Sequence, residues 1–113
     1  MALEVGGKTL ETTEFGHLVN DGDWDEDVAL ALAAEEKITL NDRHWDVINY
    51  MREQYMDHNG KQPNVRVLVK HLKTVWTGEK VDSKVLFQLF PVSPDKQASK
   101  IGGLPRPIRR DGY

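Results

Sequence analysis

At 113 residues the chain has the size of one domain around one hydrophobic core, so a single domain over 1–113 is expected. Hydrophobic residues make up 39% and charged residues 29%, the balance of a globular protein, and no apolar run approaches the ~20 residues of a membrane span. The absence of cysteine excludes disulfides, thiolate metal sites and thiol nucleophiles, and the net charge of −3 conceals a split: residues 1–60 carry 4 Lys/Arg against 14 Asp/Glu, residues 61–113 carry 11 against 4.

Met1 to Leu10 lacks a basic segment followed by an apolar stretch, so no secretory signal is expected and the cytoplasm is the default location. Leu3 and Val5, then Gly6-Gly7, then Lys8 to Leu10 read as a small hairpin, because a tight two-residue turn needs positive φ at its centre. Glu14 to Gly22 is polar and reads as a loop, with one extended piece at His17-Leu18-Val19. Asp25 to Lys37 opens with acids that suit the positive end of a helix dipole and continues in Ala and Leu, which predicts a helix. Asn41 is the candidate N-cap of a second helix, with Trp45, Ile48, Met51 and Tyr55 as its apolar stripe, ending near Asn59-Gly60.

Pro63-Asn64 opens a third helix. Val65, Leu68, Val69, Leu72, Val75 and Trp76 share one face, and Arg66, Lys70 and Lys73 fall on another at i, i+4, i+7. Thr77-Gly78 closes it, Asp82 or Ser83 caps a short fourth helix that stops at Phe90-Pro91, and a last short helix is expected near Asp95 to Ile101. After Gly102-Gly103 the string LPRPIRRDGY has little to bury and reads as an arm with a mobile end. The division is therefore a hairpin and loop over 1–22, a helical core over 23–101 and an arm over 102–113.

The alternating acids Asp21, Asp23, Asp25 and Asp27 suggest a calcium loop, but the spacing fails: Glu26 stands where the sharp turn needs glycine, and Leu32 where the bidentate glutamate belongs. They read as a solvated loop and helix start. His17, His44, His58 and His71 show no metal-binding spacing and are expected at the surface or at helix ends, so no metal is expected. Phosphate-cradling glycine loops and a nucleophile elbow are absent, and no cofactor is expected. Trp24, Trp45, Trp76, Tyr55, Phe87 and Phe90 read as core aromatics. The helix pair 41–58 and 64–76 has the outline of a helix-turn-helix, with Arg66, Lys70 and Lys73 as candidate DNA contacts.

Five strings, in order and spanning nearly the whole chain, resemble the DsrC/TusE family, the gamma subunit of dissimilatory sulfite reductase and the related sulfur-relay proteins of tRNA thiolation. They are Gly22-x-Trp24; LNDRHWDVIN from Leu40 to Asn49; VRVLVK from Val65 to Lys70; Ser83-Lys84 with LFQLFP from Leu86 to Pro91; and KQASKIGGLPRP from Lys96 to Pro107. The resemblance implies an α+β, mainly helical fold with a small N-terminal β-hairpin, a helix-turn-helix-like element and a flexible C-terminal arm that reaches into a partner's active site. It also implies sulfur chemistry on two cysteines, one in the KQACK-like string and one penultimate in the arm, relay-type members keeping only the second.

Here the first position is Ser99, and the arm ends Ile108 to Tyr113 with Gly112 penultimate and no cysteine. A hydroxyl is far less acidic than a thiol and cannot hold sulfur as a persulfide or disulfide. The expected function is therefore that of a non-catalytic DsrC/TusE-like protein of sulfur metabolism that binds or regulates a partner, either a sulfite reductase or a sulfur-transferase or relay protein. Docking would use Arg66, Lys70, Lys84, Lys100, Arg106 and Tyr113. The alternative expectation is a DNA-binding regulator of sulfur genes acting through Arg66, Lys70 and Lys73.

Overall fold

The computed structural model describes residues 2–57 and 60–106, with the backbone alone at Asp21. Strands β1 (Ala2–Val5) and β2 (Lys8–Glu11) pair antiparallel with Leu3 opposite Leu10 and Val5 opposite Lys8. Gly6 and Gly7 both take positive φ, +54° and +84°, which is why this turn needs two residues without a side chain. Leu3 and Leu10 lie on one face and are buried, and β1 packs on the first helix. The extended piece expected at 17–19 is a single bridge, Thr12 to Leu18.

Helix α1 (Glu26–Glu35) is capped by Asp25, whose carboxylate accepts from Val28 N at 2.9 Å, and it buries Val28, Ala29, Leu32 and Ala33. The predicted helix ran on to Lys37. It stops earlier because Lys37 takes the left-handed conformation, φ +59°, so that Lys37 N and Ile38 N donate back to Ala34 O and Ala33 O. Helix α2 (Asp42–Asp57) begins with Asn41 Oδ1 accepting from Arg43 N at 2.9 Å and His44 N at 3.2 Å, and it buries His44, Val47, Ile48 and Met51.

Helix α3 (Val65–Val75) is capped by Asn64, and α4 (Ser83–Leu89) by Asp82. Helix α5 (Pro94–Ile101) starts on Pro94, whose missing N–H has no partner to lose at that position. This last helix is the hub: α1, α2, α3 and α4 all pack against it. Its small residues Ala98 and Ser99 let the neighbours close in, and Pro94, Asp95, Gln97, Ala98, Ser99 and Ile101 are all buried.

Several expectations change. His17 and His44 are buried at 4% and 5% exposure rather than displayed, because each ring hydrogen-bonds the backbone carbonyl of a distant segment; His44 does sit in the first turn of α2. Phe87 is exposed, since it lies about 100° around α4 from the buried Leu86. Val75 is exposed as well, and Trp24 and Trp45 are half-buried. The arm does not leave the domain at Gly102: Gly102, Gly103 and Leu104 are buried. Its end, residues 107–113 with Gly112 and Tyr113, lies outside the described residues, as does His58.

Candidate functional site

Residues 101–106 pass from the end of α5 into the arm, and their carbonyls are met one after another by side chains from separate parts of the chain. Trp24 Nε1 donates to Ile101 O at 2.8 Å, and Arg52 Nη1 donates to Gly102 O at 2.6 Å. His17 Nδ1 bonds Leu104 O at 2.9 Å, and Gln62 Nε2 donates to Pro105 O at 2.8 Å. Since Leu104 O can only accept, His17 carries its proton on Nδ1. Leu104 N completes the set by donating to Ser99 O at 3.0 Å. The last carbonyls of α5 are closed by the backbone of Gly102, Gly103 and Leu104 and, at Ile101, by Trp24, while the side chains on Gly102, Leu104 and Pro105 fix where the arm begins.

The anchors hold one another. The Arg52 guanidinium lies 3.9 Å from the Trp24 ring centre. Gly103 takes φ +73° directly beneath that ring, where a Cβ would come within 2.4 Å of Trp24 Cδ1. On the other side, the Arg106 guanidinium lies over the Phe15 ring at 4.0 Å, so the loop bearing His17 touches the arm root twice.

Ser99, at the position of the expected family cysteine, is completely buried beneath this root. Its Oγ lies 2.7 Å from Gln62 Oε1 and 2.8 Å from Pro105 O, and its one proton serves either acceptor. The hydroxyl thus joins α5, the α2–α3 connection and the arm. Chemically it is a buried hydrogen-bond donor with no base beside it to make it a nucleophile.

The expected docking cations separate into two groups. Arg66, Lys70 and Lys73 are exposed on α3 and Lys84 is exposed on α4, two helices that pack together. Lys100 is drawn inward, its side chain 12% exposed, with Nζ at 3.4 Å from Glu36 and 3.7 Å from Glu35. Arg106 is exposed but engaged on Phe15. Helices α2 and α3 meet through a Tyr50–His71 ring stack at 3.6 Å and a hydrogen bond from Trp76 Nε1 to Asp46, with residues 58–64 connecting them. Phe15, His17, Arg52 and Gln62 were not singled out as site residues from sequence; their relation to residues 102–106 is long-range, and only Trp24, through Gly22-x-Trp24, stood in one of the five strings.

Burial holds both buried imidazoles below their ordinary range. At His17 the Lys100 and Arg106 cations add to that effect, while the Leu104 carbonyl and Glu36 oppose it. At His44 only the Leu89 carbonyl opposes burial. Among the described residues no three imidazoles or carboxylates converge as a metal site, and no helix is long and apolar enough to cross a membrane.

The fold has counterparts in known proteins. The family model described as "DsrC like protein" matches residues 4–109. Sulfurtransferase TusE of Photorhabdus laumondii is 46% identical over 107 residues, 95% of this chain and 96% of that protein. The oxidized gamma-subunit of the dissimilatory sulfite reductase (DsrC) from Archaeoglobus fulgidus has a TM-score of 0.88 at 38% identity, covering 98% of this chain and all of the other. DsrC of Allochromatium vinosum gives 0.86 at 41% identity with the same coverage. With a family-model match over most of its length, a relative 46% identical along nearly all of it and the mainly helical fold with its hairpin shared with the DsrC structures, the chain belongs to the DsrC-like family and is a DsrC/TusE-type protein of sulfur metabolism.

Proposed function

We propose that this chain is a binding or regulatory member of its family, which docks on a sulfite reductase or on a sulfur-transferase or relay protein and does not itself carry sulfur. The observation that carries this reading is Ser99: the chain keeps the family's fold, yet this position holds a buried hydroxyl engaged with Gln62 and Pro105, and no cysteine occurs in the 113 residues. Sulfur relay proceeds by thiolate attack and storage as a persulfide or disulfide, and a serine hydroxyl stays protonated and does neither. The chain is then not an enzyme of sulfur transfer. What it retains is a shaped surface, with Arg66, Lys70 and Lys84 exposed on α3–α4 and Arg106 at the arm root.

Calorimetric titration against a sulfite reductase core and against a sulfurtransferase tests the reading. It expects a complex with one of them at micromolar concentration, weakened by charge reversal at Arg66 and Lys70; no heat with either partner contradicts it.

DNA binding is a second reading, favoured by one observation: Arg66, Lys70 and Lys73 are exposed on one helix without an acidic residue in it, and none has an ion-pair partner among the described residues. An electrophoretic shift at low salt that weakens steeply as salt rises, and is lost in Arg66→Ala with Lys70→Ala, supports it. Absence of any shift removes it.

A further inference from the structure

We propose that the Thr13–His17 loop is a proton-sensitive latch on the root of the arm: it holds the Leu104 carbonyl through His17 and Arg106 through Phe15, and a charge on the buried ring moves the loop outward with both contacts. The loop is built as a unit. Thr13 N donates to His17 O at 2.7 Å, Gly16 N donates to Thr13 O at 2.9 Å, and Thr13 Oγ1 accepts from both Phe15 N and His17 N at 3.3 Å. Within it, Gly16 takes φ +86° against the Lys100 side chain, where a Cβ would lie 2.7 Å from Nζ. The loop therefore rests on the half-buried Lys100 ammonium group.

The ring of His17 sits in the same surroundings. The charged groups that bear on it are Lys100 from α5, Arg106 from the arm and Glu36 from the end of α1. The two nearby carboxylates are already committed: Glu36 faces Lys100 Nζ at 3.4 Å and Gln97 Nε2 at 3.5 Å, and Glu35 faces the same Lys100 Nζ at 3.7 Å. A proton arriving on Nε2 leaves the Nδ1–H donor in place, so the Leu104 bond itself does not fail. It does create a third cation beside Lys100 and Arg106, in a site 4% exposed to water. Burial of an incompletely compensated charge is costly, and the short route to water is outward movement of the loop. Because Phe15 and His17 share one hydrogen-bonded turn, that movement takes both of its contacts from the arm root.

The other anchors do not titrate in this range. Trp24 on Ile101 O, Arg52 on Gly102 O, Gln62 on Pro105 O and the Leu104 N to Ser99 O bond stay in place. The latch therefore frees Leu104 O and the Arg106 side chain, and leaves α5 and Gly102 as they are. This inference concerns the arm root alone and stands whether or not the chain docks on a sulfur-metabolism partner.

The test follows the free, full-length chain by nuclear magnetic resonance from about pH 8 to about pH 5. The His17 ring and the backbone signals of Phe15, Gly16, Leu104 and Arg106 are recorded together, with Phe90 as an independent reporter of His44. The expected result is a shared midpoint, below the ordinary histidine value, for the His17 ring and all four backbone signals. The neutral ring should show the Nδ1–H tautomer, and the Arg106 amide should exchange about tenfold faster, corrected for intrinsic pH dependence, once the ring is charged. In His17→Gln, which keeps an N–H donor and cannot take up a proton, the step at Leu104 and Arg106 should vanish.

Titration of the ring without movement of Leu104 and Arg106 overturns the latch, and so does an unchanged step in His17→Gln. If that variant does not fold, the midpoints in the unsubstituted chain decide alone: coincidence supports the latch and separation overturns it. Partner binding enters none of these readouts, so failure here leaves the docking reading standing, and failure of docking leaves the latch standing.

Discussion

Gly103 shows most sharply how single residues shape this protein. Its φ of +73° and the 2.4 Å approach that a Cβ there would make to Trp24 Cδ1 leave no room for alanine, and Trp24 cannot yield while it donates to Ile101 O beneath Arg52. Gly103→Ala should cost about 2–4 kcal/mol in chemical denaturation, from backbone strain and overpacking together. Ser99→Ala removes a buried donor and should cost about 1–2 kcal/mol, with faster exchange at the Leu104 amide as the local sign. His44 predicts a pH dependence. Its Nε2–H donates to Leu89 O at 2.8 Å while Nδ1 accepts from Asn41 N at 3.0 Å, so the neutral ring is the one that fits, and burial lowers its pKa. The unfolded chain then binds more protons than the folded one below the ordinary value of 6.5, and this stability is complete above that value. Falling pH erodes it until the lowered folded value is passed. Melting temperature should fall between about pH 7 and about pH 5, and the slope should be shallower in His44→Gln.

Among the elements, α1 shows a compromise at its end. Lys37 occupies the left-handed position that closes the helix, where glycine carries no Cβ penalty, and it is exposed. Lys37→Gly should therefore raise stability by about 0.5 kcal/mol, the gain in conformational fit exceeding the added flexibility of the unfolded chain; a loss in urea denaturation would contradict this account of the terminus. The hub helix α5 is arranged differently. Only Lys96 is exposed along it, and its partners come from four other helices, so its stability derives from packing more than from propensity.

For the whole molecule, local signals in the sequence carried the hairpin, all five helices and two of the caps, because Gly6-Gly7, Asn41, Asp82 and Gly78 act through their immediate neighbours. The arm root was not legible in that way. His17 with Leu104, Trp24 with Ile101, Arg52 with Gly102 and Gln62 with Pro105 are each more than 40 residues apart, and no spacing rule reports such pairs. Lys100 counted equally with Arg66 as a cation in the sequence, yet Glu35 and Glu36 take it inward, so the basic half of the chain offers less free charge than its composition suggests. The same holds for the aromatic residues: Phe90 is core while Phe87 faces out, a difference decided by the short length and packing of α4. The central claim, a family fold that binds without carrying sulfur, is tested most directly by native mass spectrometry of the chain mixed with a persulfide-loaded sulfurtransferase. The account predicts a chain with no added mass of about 32 Da, one sulfur atom, and a complex at the summed mass where the sulfurtransferase is the docking partner. A released chain bearing that stable addition would contradict it.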